Sequence, residues 1–183
     1  MLWISFIIIA LLVGIDQGAK WAVKLSGLFH NQNISIIPKL VEFRYVENTG
    51  AAYGIMDGKM WFFYIMTVIA LAMLGFLLSK GNMKTKKAYT FSVSLLIAGA
   101  LGNAIDRVIL GYVIDFIHFP IVAPIHDIFN FYCNPADIYL TFGIILFIID
   151  LLILDAIRNK KKNRAYEKIE AKERENHARE NNS

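Results

Sequence analysis

Four long stretches of this 183-residue chain are almost free of charged side chains, and they restrict its fold more than any other feature. An α-helix needs about 20 apolar residues to cross the hydrocarbon core of a bilayer. The stretches that meet this length are residues 2–25, 60–79, 88–107 and 138–157. A soluble bundle of this size would have to hide all four in one small core, and its helices should show a polar face. We therefore predict an all-α membrane protein with four transmembrane helices.

The first stretch could be mistaken for a cleaved signal peptide. It lacks a basic segment before the apolar run, and Asp16 and Lys20 stand where a small-residue cleavage site would follow. We predict a retained helix. The single cysteine, Cys133, excludes an intrachain disulfide framework.

Lysine and arginine are distributed unevenly between the segments that connect and follow the spans. They concentrate in the loop 80–87 and in the tail 158–183, while residues 108–137 contain none. Cytoplasmic loops carry the excess of basic residues, so both termini and the 80–87 loop are expected in the cytoplasm. The positions of the basic residues that give the net charge of +4 are therefore typical of membrane orientation rather than of a nucleic-acid surface. We predict one transmembrane domain over 1–157 and a charged cytoplasmic tail over 158–183.

The two outer segments, 26–59 and 108–137, differ from ordinary connectors. Around Val41, Phe43 and Tyr45 the apolar side chains alternate with charged ones, which is typical of a strand with one apolar face. We expect a small extracytoplasmic β-sheet on the outer membrane surface. The aromatic residues of 112–132 suit the headgroup region, and a plain interfacial loop accounts for them equally well.

Ionisable side chains inside the spans are costly and need partners. Asp16 and Lys20 share one helix face, and Asp106 and Arg107 lie at matching depth in the third span, so the four are expected to form a paired network. Such a network could equally serve only to clamp the helices together. Asp150, in the fourth span, has no obvious role; a structural hydrogen bond or snorkelling is favoured over catalysis.

Two further carboxylates lie at outer helix ends. Asp115 follows the third span and Asp137 begins the fourth, so the two can converge at the water–lipid boundary if these spans are neighbours. Two close carboxylates share a proton, and one can then activate water while the other acts as an acid. This is aspartic-protease chemistry, which requires no metal, nucleophile or cofactor. Alternatively, Asp137 is a simple helix cap.

The sequence resembles the bacterial lipoprotein signal peptidases, also called type II signal peptidases, over roughly residues 10–157. The resemblance rests on five ordered motifs at the ends of the spans. These are DQGAK at 16–20, NTGAAYG at 48–54, GALGNAIDR at 99–107, IDF at 114–116 and NPAD at 134–137.

The resemblance implies four transmembrane helices, an outer β-cradle and a short periplasmic helix. It implies an intramembrane aspartic endopeptidase of the bacterial cytoplasmic membrane that cleaves lipidated prolipoproteins before a diacylglyceryl-modified cysteine.

The resemblance also implies roles for individual residues. The catalytic pair would be Asp115 and Asp137. The residues expected to line the site are Asn48, Gly50, Asn103, Arg107 and Asn134. The supporting polar shell would contain Asp16, Lys20, Asp106 and Ala136, and Gly99, Ala100 and Gly102 would permit close approach of helices or substrate. A monomer surrounded by phospholipid is expected.

Three residues depart from the motifs of that family. Ala19 replaces the usual Ser or Thr before Lys20, Cys133 replaces the Phe before Asn134, and Pro135 follows that asparagine. These departures leave both carboxylates in place but affect the loop that presents Asp137.

Three other functions compete with this interpretation. A cysteine enzyme would pair Cys133 with His118 or His126, although no orienting third group is evident. A metal site would use His118, His126 and Asp127, whose spacings match no zinc motif. A transporter would place polar groups along a whole span, whereas here, apart from Asp150, they lie in the outer halves.

Overall fold

Four helices in a computed structural model of the chain are long and apolar enough to cross a membrane, which confirms the predicted class. The structure describes residues 2–27, 33–50, 60–120 and 131–180. The helices are α1 (Trp3–Ser26), α2 (Met60–Ser79), α3 (Lys87–Leu110) and α4 (Pro135–Ile149); a π turn (Asp150–Leu154) then joins α4 to α5 (Asp155–Glu180).

The helix ends follow from local chemistry. Helices α1 and α3 stop at Gly27 and Gly111, whose φ angles of 66° and 80° lie in the left-handed region that glycine adopts without strain. Helix α4 begins three residues earlier than the apolar pattern indicates, at Pro135, because Asn134 caps it. The charged tail continues as the helix α5 rather than as an irregular segment.

The predicted outer sheet is present and has four antiparallel strands. They are β1 (Ile34–Ile37), β2 (Val41–Asn48), β3 (Val113–His118) and β4 (Tyr132–Cys133), in the order β1-β2-β3-β4. Strand β3 is buried along its whole length, and Val46 of β2 pairs with Asp115 of β3. The expected short outer helix has no counterpart among the described residues of the two outer segments, and residues 51–59 and 121–130 lie outside the description.

Helix α3 packs against the other three spans, and two glycines allow its closest contacts. A Cβ atom on Gly102 would lie 2.5 Å from the Asp16 carboxylate, and one on Gly99 would lie 2.6 Å from the Ala136 carbonyl oxygen. Both distances are too short for non-bonded atoms, so glycine is required where α1, α3 and α4 meet. This agrees with the close approach expected at these positions.

Asp150 is buried near the end of the bundle opposite the sheet, and it has a structural hydrogen-bond partner, as the sequence favoured. Both of its oxygens accept hydrogen bonds of 2.8 Å from the Arg158 guanidinium. Eight residues of regular α-helix would leave the two side chains about 80° apart around the axis. The wider π turn between them turns the chain less per residue and brings them onto one face.

Candidate active site

The two predicted catalytic carboxylates come from the elements that leave and re-enter the helical bundle at the end that carries the sheet. Asp115 lies in the middle of β3, which follows α3 after a two-residue connection, and it is only 3% exposed. Asp137 lies in the first turn of α4. A capping box fixes it there: its backbone N–H donates to the Asn134 side-chain oxygen, and its carboxylate accepts the Asn134 backbone N–H, both at 3.1 Å.

Asn134 is the N-cap residue, so the simple-cap alternative for Asp137 is wrong; Asp137 is the N3 residue of the capping box, and this position does not exclude a catalytic role. Capping uses one carboxylate oxygen, Oδ2. The other oxygen, Oδ1, accepts a hydrogen bond of 2.8 Å from the Asn103 side-chain amide. Since each carboxylate oxygen has two lone pairs, both retain acceptor capacity for a water molecule.

Neutral amides also hold Asp115. The Asn134 side-chain amide donates to its Oδ1 at 2.6 Å, and the Asn48 side-chain amide donates to its Oδ2 at 2.8 Å. Asn134 thus contacts both carboxylates, one through its side chain and the other through its backbone. The structure brings Asn48, Asn103 and Asn134 together around the two acids, as the sequence predicted.

A buried ionic cluster supports this pair from behind. The Lys20 ammonium group lies 2.9 Å from a carboxylate oxygen of Asp16 and 2.9 Å from one of Asp106, and all three side chains are at most 1% exposed. It also donates to the Asn103 side-chain oxygen at 3.0 Å. Because Asn103 in turn donates to Asp137, the cluster is connected to the site by one polarised amide.

The same cluster ties three parts of the chain to one another. Asp16 accepts the backbone N–H of Ala136 at 2.9 Å, and Asp106 accepts that of Ile114 at 3.1 Å. These two bonds fix the residues next to Asp137 and Asp115. The predicted supporting positions of Asp16, Lys20, Asp106 and Ala136 are therefore contacts of the structure. Gly50 lies at the edge of this group, where its N–H donates to the Asn48 side-chain oxygen at 3.0 Å.

Sequence reasoning missed Gln17, which lies in the centre of the cluster. Its side-chain amide donates to Asp106 at 2.8 Å, to the Gly102 carbonyl at 3.0 Å and to Asp16 at 3.2 Å. An uncharged side chain in an apolar span was not treated as a site candidate. Its place between Asp16 and Lys20 was the available signal.

Arg107 does not join this network, which corrects the four-residue pairing expected from the sequence. Neighbouring residues of a helix point about 100° apart, so Arg107 cannot share the face of Asp106. Its guanidinium instead lies over the Phe63 ring of α2, at 4.7 Å from the centroid. It forms no ion pair with any carboxylate of the described residues, and its one hydrogen bond there runs to the Asn103 carbonyl at 3.4 Å.

The pKa of Asp115 reflects its surroundings. Burial is the main cause that raises it, to about 7, and the neighbouring Asp137 charge adds to this effect. The amides of Asn48 and Asn134 and the Lys20 charge oppose the shift only in part. Asp115 therefore holds a proton up to neutral pH, which is the condition for a carboxyl group to act as an acid.

The rival cysteine site does not fit these surroundings. Burial, together with the charges of Asp137 and Asp115, raises the pKa of the Cys133 thiol to about 12, so the nucleophilic thiolate is suppressed. Cys133 pairs with Ile117 across the sheet, while His118 pairs with Tyr132, so the thiol and this imidazole lie on opposite faces. His126 and Asp127 lie outside the described residues, within which no cluster of metal-ligating side chains occurs.

The fold and this site together define a multi-pass membrane protein with a buried carboxylate pair at one end of its helices. Comparison with known proteins gives the family. The family model for signal peptidase (SPase) II matches residues 8–153, so the chain belongs to the signal peptidase II family, a family of proteases.

Individual relatives agree with this assignment. The lipoprotein signal peptidase of Lactiplantibacillus plantarum is 42% identical over 156 residues, which cover 82% of this chain and 95% of the relative. That of Enterococcus faecalis is 37% identical over 168 residues, covering 89% and 96%. A bacterial membrane enzyme solved by the in meso method at 2.3 Å resolution matches with a TM-score of 0.71 and 38% identity, covering 81% of this chain and 87% of that one.

Proposed function

We propose that this chain is an aspartic endopeptidase that removes signal peptides from prolipoproteins, cutting before a diacylglyceryl-modified cysteine. One observation carries the mechanistic part: Asn134 contacts both Asp115 and Asp137, and within the described residues the direct partners of the two carboxylates are neutral amides rather than cations. Membership of the signal peptidase II family supports the substrate class.

The neutral character of the partners that the described part of the chain supplies determines the chemistry of the pair. A guanidinium or ammonium group bound to either carboxylate would hold it ionised. Amide N–H groups orient both acids but favour the ionised form less strongly than a cation does. One proton can therefore be shared between the two carboxylates. The two groups then titrate as a pair.

Hydrolysis follows from this shared proton. The ionised carboxylate accepts a proton from a water molecule as its oxygen attacks the scissile carbonyl carbon, and the protonated carboxyl donates its proton to the carbonyl oxygen. The tetrahedral intermediate collapses when the C–N bond breaks: the leaving nitrogen takes the proton that the pair gained from water, and a hydroxyl group of the intermediate returns a proton to the pair. The net reaction consumes one water and produces a carboxyl terminus and an amine.

The remaining site residues position the substrate. The Asn48 side chain and the Arg107 guanidinium supply donors beside the pair, and they would hold the substrate backbone extended across it. The apolar helices around the site would receive the signal peptide, with its lipidated cysteine in the outer leaflet. In this proposal both termini lie in the cytoplasm and the site lies at the outer face, and the basic residues of the loop 80–87 support this orientation. One copy of the chain contains all the residues used, so a monomer suffices.

A cleavage assay with a diacylglyceryl-modified prolipoprotein peptide tests the proposal. Replacement of a carboxylate by an amide keeps the shape but removes the proton-transfer group, so Asp115→Asn or Asp137→Asn should lower kcat by about a thousandfold or more. The melting temperature of each variant in detergent serves as the folding control. Full turnover by either variant would refute the assignment of the pair.

A further inference from the structure

The Arg107 guanidinium is held in place but uses few of its donors. It carries five N–H groups, and one of them makes a long bond of 3.4 Å to the Asn103 carbonyl. Its Nε is buried and has no hydrogen-bond partner among the described residues. A buried donor without a partner is costly, so this arrangement indicates a position where another molecule supplies the acceptor.

Helix α2 holds Arg107 through two successive residues. The Phe63 ring lies beneath the guanidinium at 4.7 Å, where the negative face of the ring attracts the cation without using any N–H donor. The Tyr64 hydroxyl donates to the Arg107 backbone carbonyl at 2.8 Å. One contact fixes the side chain and the other fixes the main chain, and both come from a helix that contains no charged residue.

We propose that Phe63 and Tyr64 are positioning residues, which hold the Arg107 guanidinium off the carboxylate pair so that its donors remain available to a backbone carbonyl of the substrate. This inference rests on the proposed function and adds α2 to the site. Family membership alone does not assign these two residues a role.

The position over the ring matters because a closer guanidinium would alter the acids. If Arg107 paired directly with Asp115 or Asp137, its positive charge would favour the ionised form, and the shared proton would be lost at lower pH. The donors used in that pair would no longer be available to substrate. The charged and titratable groups that surround this space from the adjoining elements are Lys20 of α1, Tyr64 of α2, Asp106 of α3, Asp115 of β3, Cys133 of β4 and Asp137 of α4.

The first test removes the ring face and keeps an apolar side chain. Phe63→Leu should lower kcat/KM for the lipidated peptide by about fivefold to tenfold, the range expected for a partly desolvated cation–π contact. Phe63→Tyr, which keeps the ring, should retain activity. The matched control is Phe62→Leu, because the adjacent Phe62 packs on Trp61 and Phe63 but does not lie over Arg107.

The pH profile separates positioning from a general packing defect. In Phe63→Leu the guanidinium is free to approach the carboxylates, so the alkaline limb of kcat should move to lower pH. A packing defect would lower kcat at every pH and leave the limb in place. If Phe63→Leu lowers the melting temperature, Phe63→Met, whose unbranched and flexible side chain adapts better to the space of the ring, replaces it in both measurements.

A double-mutant cycle on binding decides whether Phe63 acts through Arg107. In the Asp137→Asn background, where cleavage should be negligible, Kd for the lipidated peptide is measured for Phe63→Leu, Arg107→Ala and both together. We expect each single change to weaken binding and the second change to add nothing. Additive effects, an unchanged kcat/KM in Phe63→Leu, or an equal loss in Phe62→Leu would overturn the inference. Full turnover by Asp137→Asn would instead refute the proposed function itself.

Discussion

Buried aspartates occur at both ends of this helical bundle, and Asp115 and Asp137 at one end have a different kind of partner from Asp150 at the other. At the end that carries the sheet, which we call the outer end, Asp115 and Asp137 are contacted by asparagine amides, which orient the carboxylates but leave their protons exchangeable. At the inner end, Asp150 is held by both nitrogens of the Arg158 fork at 2.8 Å. A bidentate guanidinium keeps a carboxylate ionised and chemically inert. The nature of the partner, rather than burial, therefore distinguishes an aspartate suited to catalysis from a structural one.

The largest expected effect is a contrast between identical substitutions at the two ends. Asp115→Asn removes a proton-transfer group and should lower kcat by about a thousandfold or more. Asp150→Asn keeps the same shape, and we expect kcat within about twofold of the unsubstituted protein, since no proton is transferred there. The measurement is cleavage of the lipidated peptide at equal concentrations of folded enzyme. A comparable loss of kcat in Asp150→Asn would show that the two ends are not functionally separate.

The second prediction concerns the ionic cluster behind the outer pair. Lys20→Met removes the cation and leaves Asp16 and Asp106 buried without their partner, so the free energy of unfolding should fall by about 3–5 kcal/mol. Activity should fall as well, because Asn103 and the backbone of Ala136 would lose their fixed positions. Thermal unfolding in detergent measures the first effect. The exposed Lys84→Met, at the other end of the bundle, is the control and should change neither quantity.

The third prediction is a pH dependence that only the outer end should show. Since the pKa of Asp115 is raised to about 7, its proton is lost as the pH rises through this value, and kcat should decline above pH 7 by up to about tenfold per unit. The same raised pKa affects stability. Between about pH 4 and 7, Asp115 is protonated in the folded protein but ionised in the unfolded chain, so the free energy of unfolding falls as the pH rises. Asp115→Asn should remove this contribution to stability. A kcat that is constant from pH 6 to 9 would contradict the shared proton.

The smallest effect is expected from the partner of the inner carboxylate. Arg158→Met leaves Asp150 without its fork and should lower the free energy of unfolding by about 1–2 kcal/mol, since Arg158 is partly exposed and solvent replaces some of the interaction. Arg174→Met breaks an exposed pair with Glu170 at 3.9 Å and should have almost no effect. Urea unfolding of both variants compares them. Equal losses of stability in the two variants would show that the Asp150–Arg158 ion pair is no stronger than a surface ion pair.

Much of the fold could be predicted from the sequence because lipid imposes strong rules on composition. Length and hydropathy locate the four spans, and the alternation around Phe43 predicts β2. Strand β3 was harder, because all six of its residues are buried and it has no exposed face to produce alternation. Strand β4 has only two residues, too few for any periodicity.

The site was predictable as far as its residues lie at the ends of spans. Asp115 and Asp137 could be paired because one leaves and the other enters the membrane on the same side. The partners of the residues inside the spans were harder to predict. Adjacent residues such as Asp106 and Arg107 point in different directions around the helix axis, and the sequence alone does not show which helix lies in each direction. The Asp150–Arg158 contact depends on a π turn, which rotates the chain less per residue than an α-helix does. The spacing of apolar residues in the sequence does not reveal such a turn.

The capping box at Asn134 and Asp137 has a consequence for the timing of assembly. The hydrogen bonds that start helix α4 also orient one of the two acids, and the same asparagine reaches the other acid on β3. A nascent chain in which the last span has not yet wound its first turn therefore lacks a competent pair. The first turn of α4 and the orientation of the carboxylate pair therefore form together, through the hydrogen bonds of one asparagine.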